Sequence, residues 1–438
     1  MSPDRKLLFV NASQVVTCAG PGRARRGEET RDVGILRNTA VAVSGGRIAM
    51  IGAAADLRNA FGDADIIDCQ GGVLTPGLVD SHTHTVFGKP RFEEHELRAA
   101  GHDYMEIASR GGGIHSSVRD FRARSEDELF ALALPRVREL ASYGTTTLEI
   151  KSGYGLTVED ELKALRVIER LAHAVPLRIV PTWLGAHEIP AEYRGSDASR
   201  RQFIELLVAE MLPKVVAQGI ARFSDVFCEP GVFTIDETRR ILEASRAAGL
   251  GLKLHADELE PCGGAELAAS LDAASADHLA AISDRGIQAL AESSTVATLL
   301  PGTMMFLGKP RQAPARALID AGAAVALATD FNPGTSPTVN FPLMLTLGVS
   351  QLRMSLAESV LAATVNGAAA LGLAGETGQI APGFAADLAL FAIDDVRELP
   401  YWYGARLCVG SWRAGAPCHP YENVGNLNAR LPEVVPAG

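Results

Sequence analysis

Two histidines, His82 and His84, close the apolar run GLVDSHTH. Alternate residues of a strand face one side, so both imidazoles would point into the same space. Taken alone, a His-x-His pair says little, since strand histidines are commonly just half-buried. Here comparable groups sit at the ends of other apolar runs. His187 ends LRIVPTWLGAH, His255 closes LGLKLHAD, His278 closes AASADHL and Asp330 closes AAVALATDFN. Half of the ten histidines therefore fall at strand ends; His95, His102, His115, His173 and His419 fall in expected loops or helices. Nitrogen and oxygen donors without a thiol cluster suit Zn or Fe(II). Two histidines, a third and an aspartate would nearly fill a single-metal site and leave room for a water. The ion would lower that water's pKa toward neutrality. Cys228 also ends a strand, but reads as a small buried hydrophobe.

These groups need a scaffold that gathers strand ends. Between about 75 and 375, eight apolar runs alternate with helical patterns: GLVDSHTH, GTTTLEIKS, LRIVPTWLGAH, FSDVFCE, LGLKLHAD, AASADHL, STVATLLPG and AAVALATDFN. Ser125 with Glu128, Thr234 with Glu237 and Ser355 with Glu358 have capping-box spacing, and Thr157 with Asp160 is a looser version. Eight such units predict an α/β fold, a (β/α)8 TIM-like barrel whose mouth collects the strand ends. A doubly wound sheet would need a phosphate-type glycine loop after its first strand, and GLVDSHTHTVFG has none. GGG at 111–113 and GYG at 153–155 also fail the phosphate-loop patterns. Both chain ends carry short β-type runs and turns, which predicts a small β-sandwich domain built from the two termini. The expected boundaries are 1–73 and 378–438 for that domain and 74–377 for the barrel.

The 438 residues are 47% hydrophobic and 21% charged, enough for a large core. A formal net charge of −11 disfavours nucleic acid or an anionic membrane as partner. No run of roughly 18 apolar residues suggests a membrane span, and MSPDRKLLFVNAS lacks the apolar core of a secretory signal. Six scattered cysteines without a CxxC pair fit a reducing cytoplasm.

TPGLVDSHTH, KLHADE and ATDFNPG together resemble the amidohydrolase superfamily. The segments FGKPRFEEHELRAAGHDYMEIASRGGGI, TTLEIKSGYGL, PTWLGAHEIP, KLHADELEPCGGAELAA, SADHL, LLPGT and LATDFNPGTSPT narrow the resemblance to its imidazolonepropionase family, from about residue 73 to the C-terminus. That resemblance implies metal ligands at His82, His84, His255 and Asp330, holding one Zn2+ or Fe per chain. It implies substrate contacts from Arg91, Tyr154, His187, Glu258, Asn332, Gly334 and Thr335, with Tyr104 a neighbour and His278 lining the site. Two departures from the family pattern stand out: Ser81 replaces a common Cys, and Lys89-Pro90 replaces a smaller, more polar turn before Arg91. Two-metal relatives commonly add a carboxylated lysine in mid-barrel. FSDVFCE has no lysine; Lys151 on the second strand or Lys253 could face inward, but Lys253 would lie one layer deeper, where burial without a partner is costly, and one metal is favoured.

The implied reaction is hydrolysis of the ring C–N amide bond of 4-imidazolone-5-propanoate to N-formimidoyl-L-glutamate, in histidine degradation. Asp330 would accept the attacking water's proton, and Glu258 would carry one to the leaving nitrogen. A protonated His278 or His187 would stabilise the oxyanion, and Arg91 would hold the propionate. A homodimer is the implied assembly. The alternatives are an amidohydrolase or deaminase acting on another small heterocycle, disfavoured by Arg91 and Tyr154, and a non-catalytic barrel, disfavoured by the complete ligand set.

Overall fold

The computed structural model describes residues 5–102 and 112–421; Tyr104 and Gly111 lie outside these residues. Eight parallel strands form the central sheet: β1 Leu78–Asp80, β2 Thr145–Lys151, β3 Arg178–Ala186, β4 Phe223–Cys228, β5 Gly251–Ala256, β6 Ser275–His278, β7 Val296–Leu299 and β8 Val325–Leu327. Each pairs with its neighbour in chain order. All eight are the runs expected from the sequence. The two ends of the sheet meet at the mouth. Asp330 N donates to the His82 carbonyl at 3.0 Å, His84 N to that of Phe331 at 2.9 Å. The Asp80 carboxylate accepts from the Thr329 amide and hydroxyl at 3.0 and 2.7 Å. Closure of the barrel therefore runs through the segments that carry His82, His84 and Asp330.

The helices between the strands begin where the sequence says they should. Ser125, Thr234 and Ser355 each accept from the third helical amide, and Glu128, Glu237 and Glu358 reach back to the cap amide. Each reciprocal pair satisfies two amides that a helix start leaves free. Thr157 caps the helix Val158–Ala174 in the same manner, by accepting from Asp160 N. Apolar faces of these helices pack onto the outside of the sheet in one core that includes Leu148, Ile150, Leu165, Ile168 and Leu254.

Strands from both chain ends form the second layer system. One sheet has the order Arg47–Gly52, Ala40–Ser44, Leu7–Val10, Asp65–Asp68. The other has the order Ala416–His419, Cys408–Arg413, Leu388–Phe391, Val73–Pro76, Gln14–Val16, Ile35–Leu36. Phe9, Val41, Leu74, Leu388 and Trp412 share a core between them. The chain leaves this system at Pro76 and enters β1 at Leu78, with only Gly77 between, so the His82–His84 segment is anchored from below by both. Among the described residues, no helix is long and apolar enough to cross a membrane.

Candidate active site and metal centre

The strand-end histidines converge. His82 Nε2 lies 3.3 Å from His84 Nε2, and His255 Nε2 lies 3.4 Å from the same atom. Asp330 Oδ1 is 3.5 Å from both His82 Nε2 and His84 Nε2. All four side chains are buried. The Nδ1 of His82 faces the Asp277 carboxylate at 2.6 Å, and that of His255 faces Asp225 at 3.0 Å. A carboxylate on Nδ1 places the proton there and leaves Nε2 as a lone pair. Burial, reinforced for His82 by Lys151 and for His84 by His187, pushes both imidazoles well below their ordinary pKa. Neutral imidazoles aiming lone pairs at one another repel unless a cation lies between them. The donor set therefore fits a metal ion, with histidine nitrogens and one carboxylate oxygen.

Asp330 is held for two tasks. Thr303 Oγ1 donates to its Oδ2 at 2.6 Å, which leaves Oδ1 toward the histidines. Burial raises its pKa to about 6, against the Thr303 hydroxyl and the nearby His255. Its φ is 52°, and that of His278 is 78°, a left-handed backbone that β-carbon residues seldom adopt. Such strain persists where surroundings over-determine it, and it clusters at functional sites. At His278 the turn lets two consecutive residues serve the barrel interior: Asp277 bonds His82, while the His278 ring lies 5.1 Å from that of His255.

His187 stacks on His84 with ring centroids 5.0 Å apart, and its Nδ1 donates to the Gly153 carbonyl at 2.9 Å. The GYG piece is a tight turn rather than an anion loop. Glu161 Oε1 accepts from the amides of Gly153, Gly155 and Leu156 at 3.2, 2.9 and 3.0 Å. Gly153 has φ 107°, and a Cβ there would crowd His187 Nδ1 at 2.9 Å. Tyr154 is buried beside His187, with ring centroids 5.5 Å apart, and burial raises its hydroxyl pKa, so it remains a donor. The expected protonated His278 or His187 is not supported. Burial among other imidazoles drives His278 well below the ordinary value and His187 to about 3. Both are neutral near pH 7; the N–H of His187 is committed to the Gly153 carbonyl, which leaves His278 as the imidazole N–H donor.

Glu258 Oε2 lies 3.6 Å from His278 Nδ1. Burial, with Asp330 and Glu229 nearby, pushes its carboxyl well above the usual range. Its backbone amide and those of Leu259 and Glu260 donate to the Glu229 carboxylate, at 3.1, 3.4 and 2.8 Å. The Arg91 guanidinium packs on Gly334 and pairs with Glu94 through Nε at 3.2 Å. Asn332 spends its side chain on its own turn: Oδ1 accepts from the Gly334 and Thr335 amides, both at 2.8 Å, and Nδ2 donates to the Asp330 carbonyl at 2.7 Å. The turn before Arg91 is tied down despite its unusual Lys89-Pro90, since Arg136 donates to the Phe87 and Gly88 carbonyls at 2.5 and 2.7 Å.

Glu149, Asp225, Asp277 and Thr303 were not singled out from the sequence. Strand alternation offers a signal for Glu149 alone. Glu149 and Lys151 are two apart, as are Lys253 and His255, so each pair shares the inner face. Cys228 is buried in the core as expected.

Residues 73–416 match the family model described as the amidohydrolase family. The imidazolonepropionase of Geobacillus sp. (strain WCH70) is 46% identical over 405 residues, covering 91% of this chain and 95% of that protein. That of Symbiobacterium thermophilum is 46% identical over 402 residues, covering 91% and 93%. Among solved structures, a zinc-bound adenosine deaminase from Xanthomonas campestris superposes with a TM-score of 0.68 at 18% identity, covering 94% of this chain and 92% of that one. A triazine hydrolase variant superposes with a TM-score of 0.72 at 16% identity, covering 94% of each.

Proposed function

The chain belongs to the amidohydrolase family and, within it, to the imidazolonepropionases, and from that premise we propose how its residues carry the reaction. It is a hydrolase of histidine degradation that opens the ring C–N amide bond of 4-imidazolone-5-propanoate to give N-formimidoyl-L-glutamate. The convergence of three imidazole nitrogens and the Asp330 carboxylate at the barrel mouth carries this reading.

His82, His84, His255 and Asp330 would hold one Zn2+ or Fe ion per chain. Bound there, the ion supplies Lewis acidity for a carbonyl oxygen and lowers the pKa of water. Neither lysine is available for carboxylation. Lys151 Nζ lies 2.7 Å from Asp225 and 2.8 Å from Glu149. Lys253 Nζ donates to the Ser81 carbonyl at 2.8 Å. That supports one ion rather than two.

The remaining steps belong to side chains. Arg91 pairs with the propionate carboxylate in a two-point contact and sets the ring's distance from the ligand cluster. The Asp330 carboxylate takes the proton of the attacking water. Negative charge develops on the ring carbonyl oxygen as the tetrahedral carbon forms. Neutral His278 donates an N–H to it, while the single N–H of neutral His187 stays on the Gly153 carbonyl. Glu258, kept protonated by burial, gives its proton to the ring nitrogen as the C–N bond breaks. Tyr154 offers its hydroxyl to the substrate. Asn332 holds Gly334 and Thr335 against the substrate arm, and Tyr104 completes the substrate contacts.

Scattered cysteines without a CxxC pair support a cytoplasmic setting, and a homodimer is the assembly implied by the family. The test is loss of ultraviolet absorbance of 4-imidazolone-5-propanoate with the purified, metal-replete protein. Turnover with formation of N-formimidoyl-L-glutamate is expected. Inactivity on it, with turnover of an uncharged heterocycle, would replace this substrate with that one.

A further inference from the structure

Beneath the histidines lies a layer of buried charge that the reaction does not use. Glu149, Lys151, Asp225, Lys253 and Asp277 are all buried at the barrel centre. Lys151 Nζ is 2.7 Å from Asp225 Oδ2, 2.8 Å from Glu149 Oε2 and 3.8 Å from Asp277 Oδ2. Lys253 Nζ is 3.2 Å from Glu149 Oε1 and 3.7 Å from Asp277 Oδ2. The same Oδ2 atoms that face Lys151 also face the metal histidines. Asp225 Oδ2 is 3.0 Å from His255 Nδ1, and Asp277 Oδ2 is 2.6 Å from His82 Nδ1.

We infer that Lys151 is a positioning residue for metal capture: its ammonium hydrogen-bonds the Asp225 carboxylate behind His255 and pairs electrostatically, at 3.8 Å, with the Asp277 carboxylate behind His82. An ammonium reached by two carboxylates from different strands fixes both in place without blocking either toward its imidazole. The carboxylates then keep the proton on Nδ1 and the lone pair on Nε2, toward the ion. Lys253 acts one step further out. It holds the Ser81 carbonyl, directly before His82, and so steadies the backbone as well as standing 3.7 Å from the Asp277 carboxylate. The buried set carries two ammonium groups and three carboxylates, so the cage stands over a negative floor that favours a dication. This inference rests on the metal site proposed above.

The test is metal affinity of the metal-free protein, read by competition with a chromogenic chelator, beside 15N NMR of the histidine rings. Wild type is expected to bind Zn2+ tightly and to show Nδ1–H tautomers for His82 and His255. Lys151→Met should weaken Zn2+ binding about 10- to 100-fold, the usual range for losing support behind a metal ligand, and mix the two tautomers. Where Lys151→Met does not fold, Lys151→Met with Glu149→Gln removes the partner charge as well and should show the same loss. Glu149→Gln alone leaves Lys151 on Asp225 and Asp277, and should stay within about threefold of wild type. Wild-type affinity and unmixed tautomers in the lysine variants overturn the inference. So does an Nε2–H tautomer at His82 or His255 in the metal-free wild type, whatever the variants do. Wild type that binds no Zn2+ or Fe(II) overturns the metal site itself instead.

Discussion

Gly334→Ala tests the assignment of Arg91 without touching Arg91. Gly334 lies in the turn after Asp330, and its φ is not in the left-handed region, so alanine costs little in backbone strain. An added methyl, however, would fall within the Arg91 guanidinium, 2.9 Å from Nε and closer still to the other atoms. Ordinary contact needs about 3.5 Å or more, so the guanidinium must swing by an ångström or more. The 3.2 Å pair with Glu94 would loosen, and the two-point hold on a carboxylate would be lost. Hydrogen bonds to a charged group contribute about 1.5–3 kcal/mol. At about 1.4 kcal/mol per tenfold, KM should rise about 10- to 100-fold. Steady-state kinetics on 4-imidazolone-5-propanoate, with metal content measured on the same sample, gives the answer. An imidazolone without the propionate arm is the control, and its kcat/KM should barely change. Full metal with wild-type KM would show that Arg91 does not hold the arm. An equal loss on both compounds would show that the methyl disturbs the site in general.

His255→Ala should lose most bound metal while keeping its far-ultraviolet circular dichroism, because the barrel core lies below that layer; undiminished metal would remove His255 from the ligand set. Asp330→Asn retains an oxygen for the ion but cannot accept a proton, so kcat should fall about 10²- to 10⁴-fold; near-normal kcat at full metal content would make Asp330 a ligand only. Glu358 supplies an acid-stability test. Burial opposes its charge, but Arg316 at 3.0 Å and the Ser355 amide at 2.6 Å outweigh it and lower its pKa below 4.5. A lowered folded-state pKa gives stability that is present above the unfolded value and lost as pH falls through the folded one. Tm should thus drop more steeply below pH 4.5 in wild type than in Glu358→Gln. Parallel curves would mean that the pair adds nothing.

Much of the molecule was legible in the chain. The eight barrel strands and the capped helix starts depend on neighbours within a few residues, such as Ser125 with Glu128 or Thr234 with Glu237, and those interactions close locally. Chemistry at strand ends was legible for a related reason. A parallel barrel brings the C-terminal ends of all its strands to one mouth, so His82, His84, His255, His278 and Asp330 needed only their register to be placed together.

What could not be read were relations between residues far apart in sequence whose effect depends on ångström-scale distance. Lys253 looked costly to bury until the fold set Glu149 and Asp277 beside it. Gly334 was implied only as a substrate contact until the fold laid Arg91 over it. His278 looked protonatable until burial among neighbouring imidazoles made its charged form unfavourable. The physical reason is common to all three. Coulomb and desolvation energies depend on how much water the whole fold removes and on which charges remain nearby, and no local pattern of residues encodes either quantity.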